Sequence, residues 1–216
     1  MAGRRSIRLT CFLLIFVGRV YQWYCVTDRK AKCIPPSEQP DTQTMNKPSI
    51  HCRTIVETDW QSILRIQAEV YYAIVPESES VMRSKANCSP ETCLVATDSD
   101  ERVLGYCLAY PYPPDQTPSL GIHLALETSI PSPTTSTTNL FLHDLAVDKS
   151  AVGRGIAQSL FQQITVAAHS LGFSTMSLVA IQQASGFWSK LGFTPVYNTL
   201  VDSSYAADAQ FMSRNL

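Results

Sequence analysis

Residues 140–158 combine an apolar run, a histidine–aspartate pair and a glycine-rich turn. The run over 140–147 is typical of a strand and contains His143 and Asp144. The sequence Val-Gly-Arg-Gly-Ile-Ala follows at 152–157, after which apolar residues recur at helical spacing. A glycine-rich turn at a helix N-terminus binds anions, because outward N–H groups and the helix dipole favour negative charge. The stretch therefore predicts an anion site, with a histidine just upstream that can take up a proton near neutral pH.

The turn alone does not identify the anion. No Gly-Lys-Ser/Thr follows it, so it is not a P-loop. The third glycine of the dinucleotide fingerprint is absent, and no acidic residue ends a second strand at the expected distance. An ordinary tight strand-to-helix connection would produce the same local pattern, so the turn must be interpreted together with the rest of the chain.

Composition excludes several classes of protein. The chain has 216 residues, of which 45% are hydrophobic and 16% charged, as expected of a folded domain with an extension. A net charge of −1 provides no electrostatic footprint for nucleic acid. The seven cysteines form no CxxC pair and no zinc-like spacing with histidine, so no metal site is predicted. Free thiols in a reducing compartment favour a cytoplasmic location.

The N-terminal part differs in character from the rest. Residues 1–27 contain no acid, and arginines precede a short apolar run over 9–17 that is too short to span a bilayer. A signal peptide, a mitochondrial presequence and an extension without targeting function all fit, and membrane attachment is expected only if residues 1–27 act as an anchor. Because 34–48 is polar and proline-rich, we predict an extension and linker over 1–48 and a folded domain over 49–216.

The domain is predicted to alternate strands and helices in a sheet of mixed direction, an α/β (α+β) fold. The expected order is a strand, two helices, a β-hairpin, a strand, a helix, a strand, a short helix and two final strands. The predicted bounds are 49–56, 58–75, 77–86, 93–97, 103–110, 140–147, 156–171, 175–181, 182–191, 193–201 and 209–213.

From about residue 51 to the C-terminus, the chain resembles the GNAT superfamily of acetyl-CoA-dependent N-acetyltransferases. Three stretches carry the resemblance, in the family's order. They are Leu-His-Asp-Leu-Ala-Val at 142–147 with the turn at 152–157, the strand Ser-Leu-Val-Ala at 177–180, and Gly-Phe-Trp-Ser-Lys-Leu-Gly-Phe at 186–193. The turn is similar to the family's Arg/Gln-x-x-Gly-x-Gly/Ala pyrophosphate loop. The first strand is also similar to that of arylalkylamine N-acetyltransferases, which carry histidine at the position of His143.

The resemblance implies a GNAT-like, mostly antiparallel sheet of about six or seven strands with about four helices. It implies that the strand ending at Val147 splays from the next strand, so that the pantetheine arm of acetyl-CoA lies in the gap. Acetyl-CoA is then the co-substrate, and no metal is needed. The implied cofactor-binding residues are Leu145, Ala146, Val147, Val152, Gly153, Arg154, Gly155, Ile156, Ala157, Gln158, Phe187 and Trp188.

Two positions depart from the family pattern. Val152 stands where Arg or Gln is usual, which matters little because the loop acts mainly through backbone N–H groups. Trp188 stands where many relatives carry a tyrosine that protonates the departing thiolate. An indole cannot serve as an acid near neutral pH, so that role is vacant or falls to another group.

The implied reaction is direct attack of a primary amine on the thioester in a ternary complex. His143 is the candidate base and Asp144 the second catalytic candidate, although regular alternation puts them on opposite faces of the strand unless a bulge intervenes. We expect an aromatic acceptor pocket formed by Tyr71, Tyr110 and Tyr205. Glu77 and Glu79 would attract a cationic amine, or would simply be acids at a helix start.

The acceptor remains open between classes. A small arylalkylamine- or polyamine-like molecule is the preferred partner. A peptide N-terminus or lysine is the alternative, and a third interpretation is a fold that binds acyl-CoA without turnover. A homodimer is compatible with the sequence.

Overall fold

The computed structural model describes residues 49–71, 75–124 and 138–216. Within them seven strands form one sheet in the order β1-β2-β3-β4-β5-β7-β6, and only the β4–β5 pair is parallel. The strands are β1 (His51–Thr54), β2 (Leu94–Thr97), β3 (Val103–Pro111), β4 (Asn139–Val147), β5 (Thr175–Ala180), β6 (Thr194–Pro195) and β7 (Gln210–Asn215). The helices are α1 (Trp60–Val70), α2 (Glu79–Cys88), α3 (Ile156–Ser170) and α4 (Ser185–Lys190).

This architecture confirms the predicted fold class, strand number and helix number. Several boundaries were wrong, including the end of the helix predicted over 58–75, which lies at Val70. The strand predicted over 193–201 contains only the two residues of β6, because the chain then leaves the sheet in turns before β7. Helix α2 begins at Glu79, because the Ser78 hydroxyl caps it by accepting from the Val81 N–H, and Glu77 therefore lies ahead of the helix.

The helices cover both faces of the sheet. Residues from α1 and α2 pack with Tyr106, Leu108 and Ala146 of the sheet. Residues from α3 and α4 pack against the opposite face, with Leu140 and Leu142 of β4. The sheet is thus the middle of three layers, and its central strands, such as β3, are buried on both sides.

Helix α3 is set in place by an apolar stripe. Five of its residues are buried at helical spacing, namely Ile156, Leu160, Phe161, Ile164 and Ala168. Burial of each large apolar side chain stabilises the fold by about 1.5–3 kcal/mol, which fixes the rotation of α3 on the sheet. Because this face is fixed, the N-terminus of α3 is held beside the end of β4.

Strands β4 and β5 separate part-way along their length. Their pairing runs from Asn139–Thr175 to Leu142–Leu178 and then stops. Both strands continue beyond that point, and β5 stays paired with β7 as far as Ala180. The gap beside residues 143–147 is the predicted splay.

No helix among the described residues is long and apolar enough to cross a membrane. The predictions for residues 1–48, including the extension, the linker and the targeting alternatives, concern residues outside the described part of the chain.

Candidate active site

Within the stretch where β3 and β4 pair, β4 has one residue that β3 does not match. Leu108 lies opposite Asp144 and Ala109 lies opposite Leu142, so His143 has no counterpart in the register. An extra residue of this kind forms a β-bulge and lets two consecutive residues share a face. His143 and Asp144 therefore both point toward α1 and α2. Without the bulge, regular alternation would put them on opposite faces of the strand.

The imidazole of His143 is engaged at both nitrogens. Its Nδ1 lies 3.2 Å from the Tyr110 hydroxyl. Its Nε2 lies 2.9 Å from Glu77 Oε2 and 2.8 Å from Lys85 Nζ. The His143 side chain is 3% exposed, so these contacts lie in the interior rather than in open solvent. The imidazole is therefore connected directly to the carboxylate of Glu77.

Glu77 and Lys85 form a buried ion pair beside this histidine. Lys85 Nζ lies 2.5 Å from each carboxylate oxygen of Glu77, whose side chain is 9% exposed, while Lys85 is fully buried. Burial opposes ionisation of Glu77, but the hydrogen bonds and charges of His143 and Lys85 prevail and lower the pKa of Glu77 to about 2. Burial also lowers the pKa of Lys85, against the attraction of Glu77. The carboxylate is thus held in its ionised form.

Asp144 has a different environment from its neighbour. Its two oxygens accept hydrogen bonds from the hydroxyls of Tyr71 and Tyr106, the latter at 2.5 Å, and the residue is 9% exposed. Burial raises the pKa of Asp144, although the two tyrosine bonds oppose that shift. Because the described contacts use both carboxylate oxygens, they tie the bulge to α1 and β3.

A cleft of about 600 Å³ opens in front of Glu77. Its walls come from the segment ahead of α2, the connection between β3 and β4, and the connection between β6 and β7. The lining residues are Val75, Pro76, Glu77, Ser78, Val81, Leu120, Gly121, Ser204, Tyr205 and Ala206. Among the described lining residues Glu77 is the one charged side chain, and most of the others are apolar.

The three tyrosines predicted to line an acceptor pocket occupy different places. Tyr71 is bonded to Asp144 and Tyr110 to His143, and neither lines the cleft. Tyr205 does line it, and its buried hydroxyl has no hydrogen-bond partner among the described residues. Glu79 also lies away from the cleft, where it pairs with Arg83 on the surface at 2.7 Å.

The glycine-rich turn has the backbone geometry of an anion cradle. Gly153 and Gly155 adopt φ values of 82° and 85°, which side chains with a Cβ rarely adopt. A Cβ built on either glycine would meet no atom within 4 Å in the described structure, so the space in front of the turn is open. The first bond of α3 runs from the Ser159 N–H to the Gly155 carbonyl at 3.0 Å, and the N–H groups of 156–158 point outward.

The predicted aromatic pair of α4 divides between two environments. Trp188 is 8% exposed and packs edge-on against Phe161 and Phe193 in the α3 layer. Phe187 is half-buried and lies edge-on to Trp188, with ring centroids 5.0 Å apart. The indole is therefore a core residue on the side of the sheet opposite His143.

A family model described as "Acetyltransferase (GNAT) family" matches residues 60–193. The chain belongs to the GNAT acetyltransferase family. The domain is accordingly an acetyl-CoA-dependent N-acetyltransferase that acts on amine acceptors. No curated protein shows a significant match to it.

Solved GNAT structures share the fold at low sequence identity. Ard1 from Thermoplasma volcanium is 18% identical with a TM-score of 0.59, covering 77% of this chain and 97% of its own. Naa50 from Arabidopsis thaliana, in complex with a bisubstrate analogue, is 11% identical with a TM-score of 0.58, covering 78% and 99%. A phosphinothricin acetyltransferase from Sinorhizobium meliloti, in complex with AcCoA, is 21% identical with a TM-score of 0.55, covering 77% and 88%.

The turn fits the co-substrate of a GNAT enzyme. Acetyl-CoA carries a pyrophosphate, and the open space before Gly153 and Gly155 and the outward N–H groups of α3 suit such an anion. We propose that residues 152–158 hold the pyrophosphate and that the pantetheine arm lies in the gap beside 145–147. Bound acetyl-CoA supplies the thioester carbonyl that the amine attacks.

Two features of this GNAT site escaped the sequence analysis. Lys85 lies in the buried stripe of α2 formed with Val81, Met82 and Ala86, and a charged residue in an apolar stripe is a signal that could have revealed it. Gly121 donates its N–H to Glu77 Oε1 at 2.6 Å, and nothing in the local sequence announces this contact.

Acid should destabilise this GNAT domain partly through Glu77. Because the pKa of Glu77 is about 2 in the folded state against 4.5 ordinarily, the unfolded chain binds the proton first. The stabilisation is complete above pH 4.5 and is lost as the pH falls toward 2, in total about 3 kcal/mol. Urea unfolding between pH 5.5 and 2.5 measures how steeply the free energy of unfolding falls as the pH is lowered. This fall should be shallower in Glu77→Gln than in the wild type. Equal slopes would contradict the assignment.

Proposed function

We propose that the protein transfers the acetyl group of acetyl-CoA to a small primary monoamine with an apolar body. The observation that carries the proposal is the position of Glu77. Among the described residues this carboxylate is the one charge that lines a largely apolar cleft, and its other side contacts His143 at 2.9 Å. A cation that enters the cleft thus contacts Glu77, and Glu77 in turn contacts the candidate base, His143.

The chemistry of the lining selects among amines. One ammonium group can pair with Glu77, while an aromatic or aliphatic body packs against residues such as Val75, Val81 and Leu120. Because Glu77 already shares its charge with Lys85, a polyamine would bring a further ammonium into a lining whose described residues offer it no second carboxylate. Burying an unpaired charge is costly, so we favour an arylalkylamine-like acceptor over a polyamine-like one.

The amine must lose a proton before it can attack. Alkyl ammonium groups have pKa values near 10, so at neutral pH the acceptor arrives protonated. The carboxylate of Glu77 accepts a hydrogen bond from the ammonium group. It does not retain the proton, because its own pKa is only about 2. His143, in contact with the same carboxylate, is the destination, and Lys85 keeps the carboxylate ionised.

The remaining predicted residues have positioning roles in this scheme. Asp144 holds the bulge through Tyr71 and Tyr106 and so aims His143 at Glu77. Burial raises the pKa of the Tyr205 phenol, which therefore keeps its proton beside the cleft. Thiols have pKa values near 8.5, so the departing thiolate needs only modest help, and water can supply the proton in place of Trp188.

An acceptor panel tests the proposal. The release of free thiol from acetyl-CoA is followed with 2-phenylethylamine, spermidine and a tripeptide with a free N-terminus. We expect kcat/KM for 2-phenylethylamine to exceed that of the other two at least tenfold, since a tenfold ratio needs only about 1.4 kcal/mol. Turnover of the tripeptide alone would favour a peptide acceptor. Binding of acetyl-CoA without turnover of any amine would favour a non-catalytic role.

A further inference from the structure

The described part of the connection after β3, residues 117–124, borders the acceptor cleft. We call residues 117–124 the strap. On one side, the Ser119 hydroxyl donates to Asp202 Oδ2 at 2.9 Å, and the Asp202 N–H donates to Thr117 Oγ1 at 2.9 Å. The Leu120 N–H donates to the Ser204 hydroxyl at 2.9 Å. These bonds tie the strap to the connection between β6 and β7.

The other end of the strap is tied to the opposite wall. The Gly121 N–H donates to Glu77 Oε1 at 2.6 Å, and the Leu124 N–H donates to the Ser84 hydroxyl of α2 at 3.1 Å. Leu120 and Gly121 also line the cleft. The strap therefore joins the two walls between which an acceptor must lie, and it fixes one oxygen of the carboxylate that meets the acceptor.

Asp202 organises the end of this clasp. Its Oδ1 accepts from the Ser204 N–H at 2.9 Å and from the Ser204 hydroxyl at 2.6 Å, so the carboxylate shapes its own turn before it reaches the strap. The Tyr205 N–H donates to the Asp202 carbonyl at 3.1 Å. Because Tyr205 lines the cleft, the same turn sets the position of its ring.

We propose that this clasp, formed by Thr117, Ser119, Asp202 and Ser204, is the size filter of the enzyme. It keeps the two walls together, admits a small unbranched amine to Glu77, and excludes an acceptor whose chain must leave between the walls, such as a peptide. The inference rests on the proposed function and adds the residues that determine its specificity. Asp202 is a positioning residue in this scheme and contacts no reacting atom.

The test opens the clasp from the strap side. Thr117→Val/Ser119→Ala removes three bonds between the strap and the β6–β7 connection, two with Asp202 and one to the Leu200 carbonyl at 3.5 Å, and leaves the Asp202–Ser204 turn intact. A matched control, Thr194→Val/Ser170→Ala, removes one hydroxyl bond on β6 and one on α3, to the carbonyls of Ser213 and Val166. The readout is the ratio of kcat/KM for the tripeptide to that for 2-phenylethylamine, with thermal unfolding to verify folding.

We expect the ratio to rise at least tenfold in the clasp variant and to stay unchanged in the control. The kcat for 2-phenylethylamine should stay within about threefold of the wild-type value while its KM rises, because the clasp positions walls and does not touch the chemistry. An unchanged ratio in a folded clasp variant would overturn the size filter alone. A wild-type enzyme that already prefers the tripeptide would overturn both the filter and the proposed acceptor.

Discussion

Replacement of Glu77 by Gln is expected to lower kcat/KM for the acceptor amine by about 10²- to 10⁴-fold at neutral pH. Glutamine keeps the shape of the side chain but removes the negative charge. In the proposed scheme the carboxylate pairs with the ammonium group and relays the ammonium proton to His143. Steady-state kinetics with saturating acetyl-CoA measures the loss. Glu79→Gln is the matched control, since it makes the same change two residues away, where the carboxylate is exposed and paired with Arg83.

The buried lysine requires a second variant. Glu77→Gln alone leaves Lys85 charged in the interior without its partner, which costs about 3–5 kcal/mol of stability. The double variant Glu77→Gln/Lys85→Met removes both charges and should recover much of that stability, while the rate stays low. A double variant with wild-type activity would show that Glu77 only neutralises Lys85.

His143→Asn should lower kcat with little change in KM, which separates proton uptake from amine binding.

Replacement of Gly155 by Ala is expected to weaken acetyl-CoA binding by about 10- to 100-fold. The Cβ would project into the open space before the turn and hold the pyrophosphate away from N–H donors, and each charged hydrogen bond is worth about 1.5–3 kcal/mol. The left-handed backbone adds a stability cost of about 1–2 kcal/mol. Calorimetric titration with acetyl-CoA measures the first effect and thermal unfolding the second.

Helix α3 provides its own control for that experiment. Gly172, just past the other end of the helix, has φ 81° against 85° for Gly155, and a Cβ there would also meet no atom within 4 Å. Gly172→Ala should therefore lose the same stability and keep wild-type affinity for acetyl-CoA. Equal affinities in the two variants would show that the pyrophosphate does not lie against the Gly155 turn.

The turn was predictable because its requirements are local. The turn needs two glycines with positive φ, and these follow directly after a strand and directly before the amphipathic stripe of α3. All of these features are therefore close together in the sequence. The splay between β4 and β5 followed from the family resemblance, and the structure confirms it in the pairing that ends at Leu142 and Leu178. The proposed cofactor site is therefore the part of the active site that the sequence predicts most directly.

The acceptor side was not predictable in the same way, because it depends on contacts that are distant in sequence. Glu77 resembled an acid at a helix start, and only the capping by Ser78 places it ahead of α2. The bulge at His143 is a mismatch with β3, and no glycine or proline in β4 signals it. The strap depends on bonds between residues such as Ser119 and Asp202, separated by 83 positions.

The bulge also separates what the fold needs from what the chemistry needs. On either side of His143, apolar residues of β4 face α3, with Leu140 and Leu142 before it and Leu145 and Val147 after it. If His143 were deleted, the remaining residues would alternate regularly and each would keep its present face. The strand is therefore complete without its histidine, and the proposed base is a one-residue insertion that a sheet of ordinary register could gain or lose without repacking its two cores.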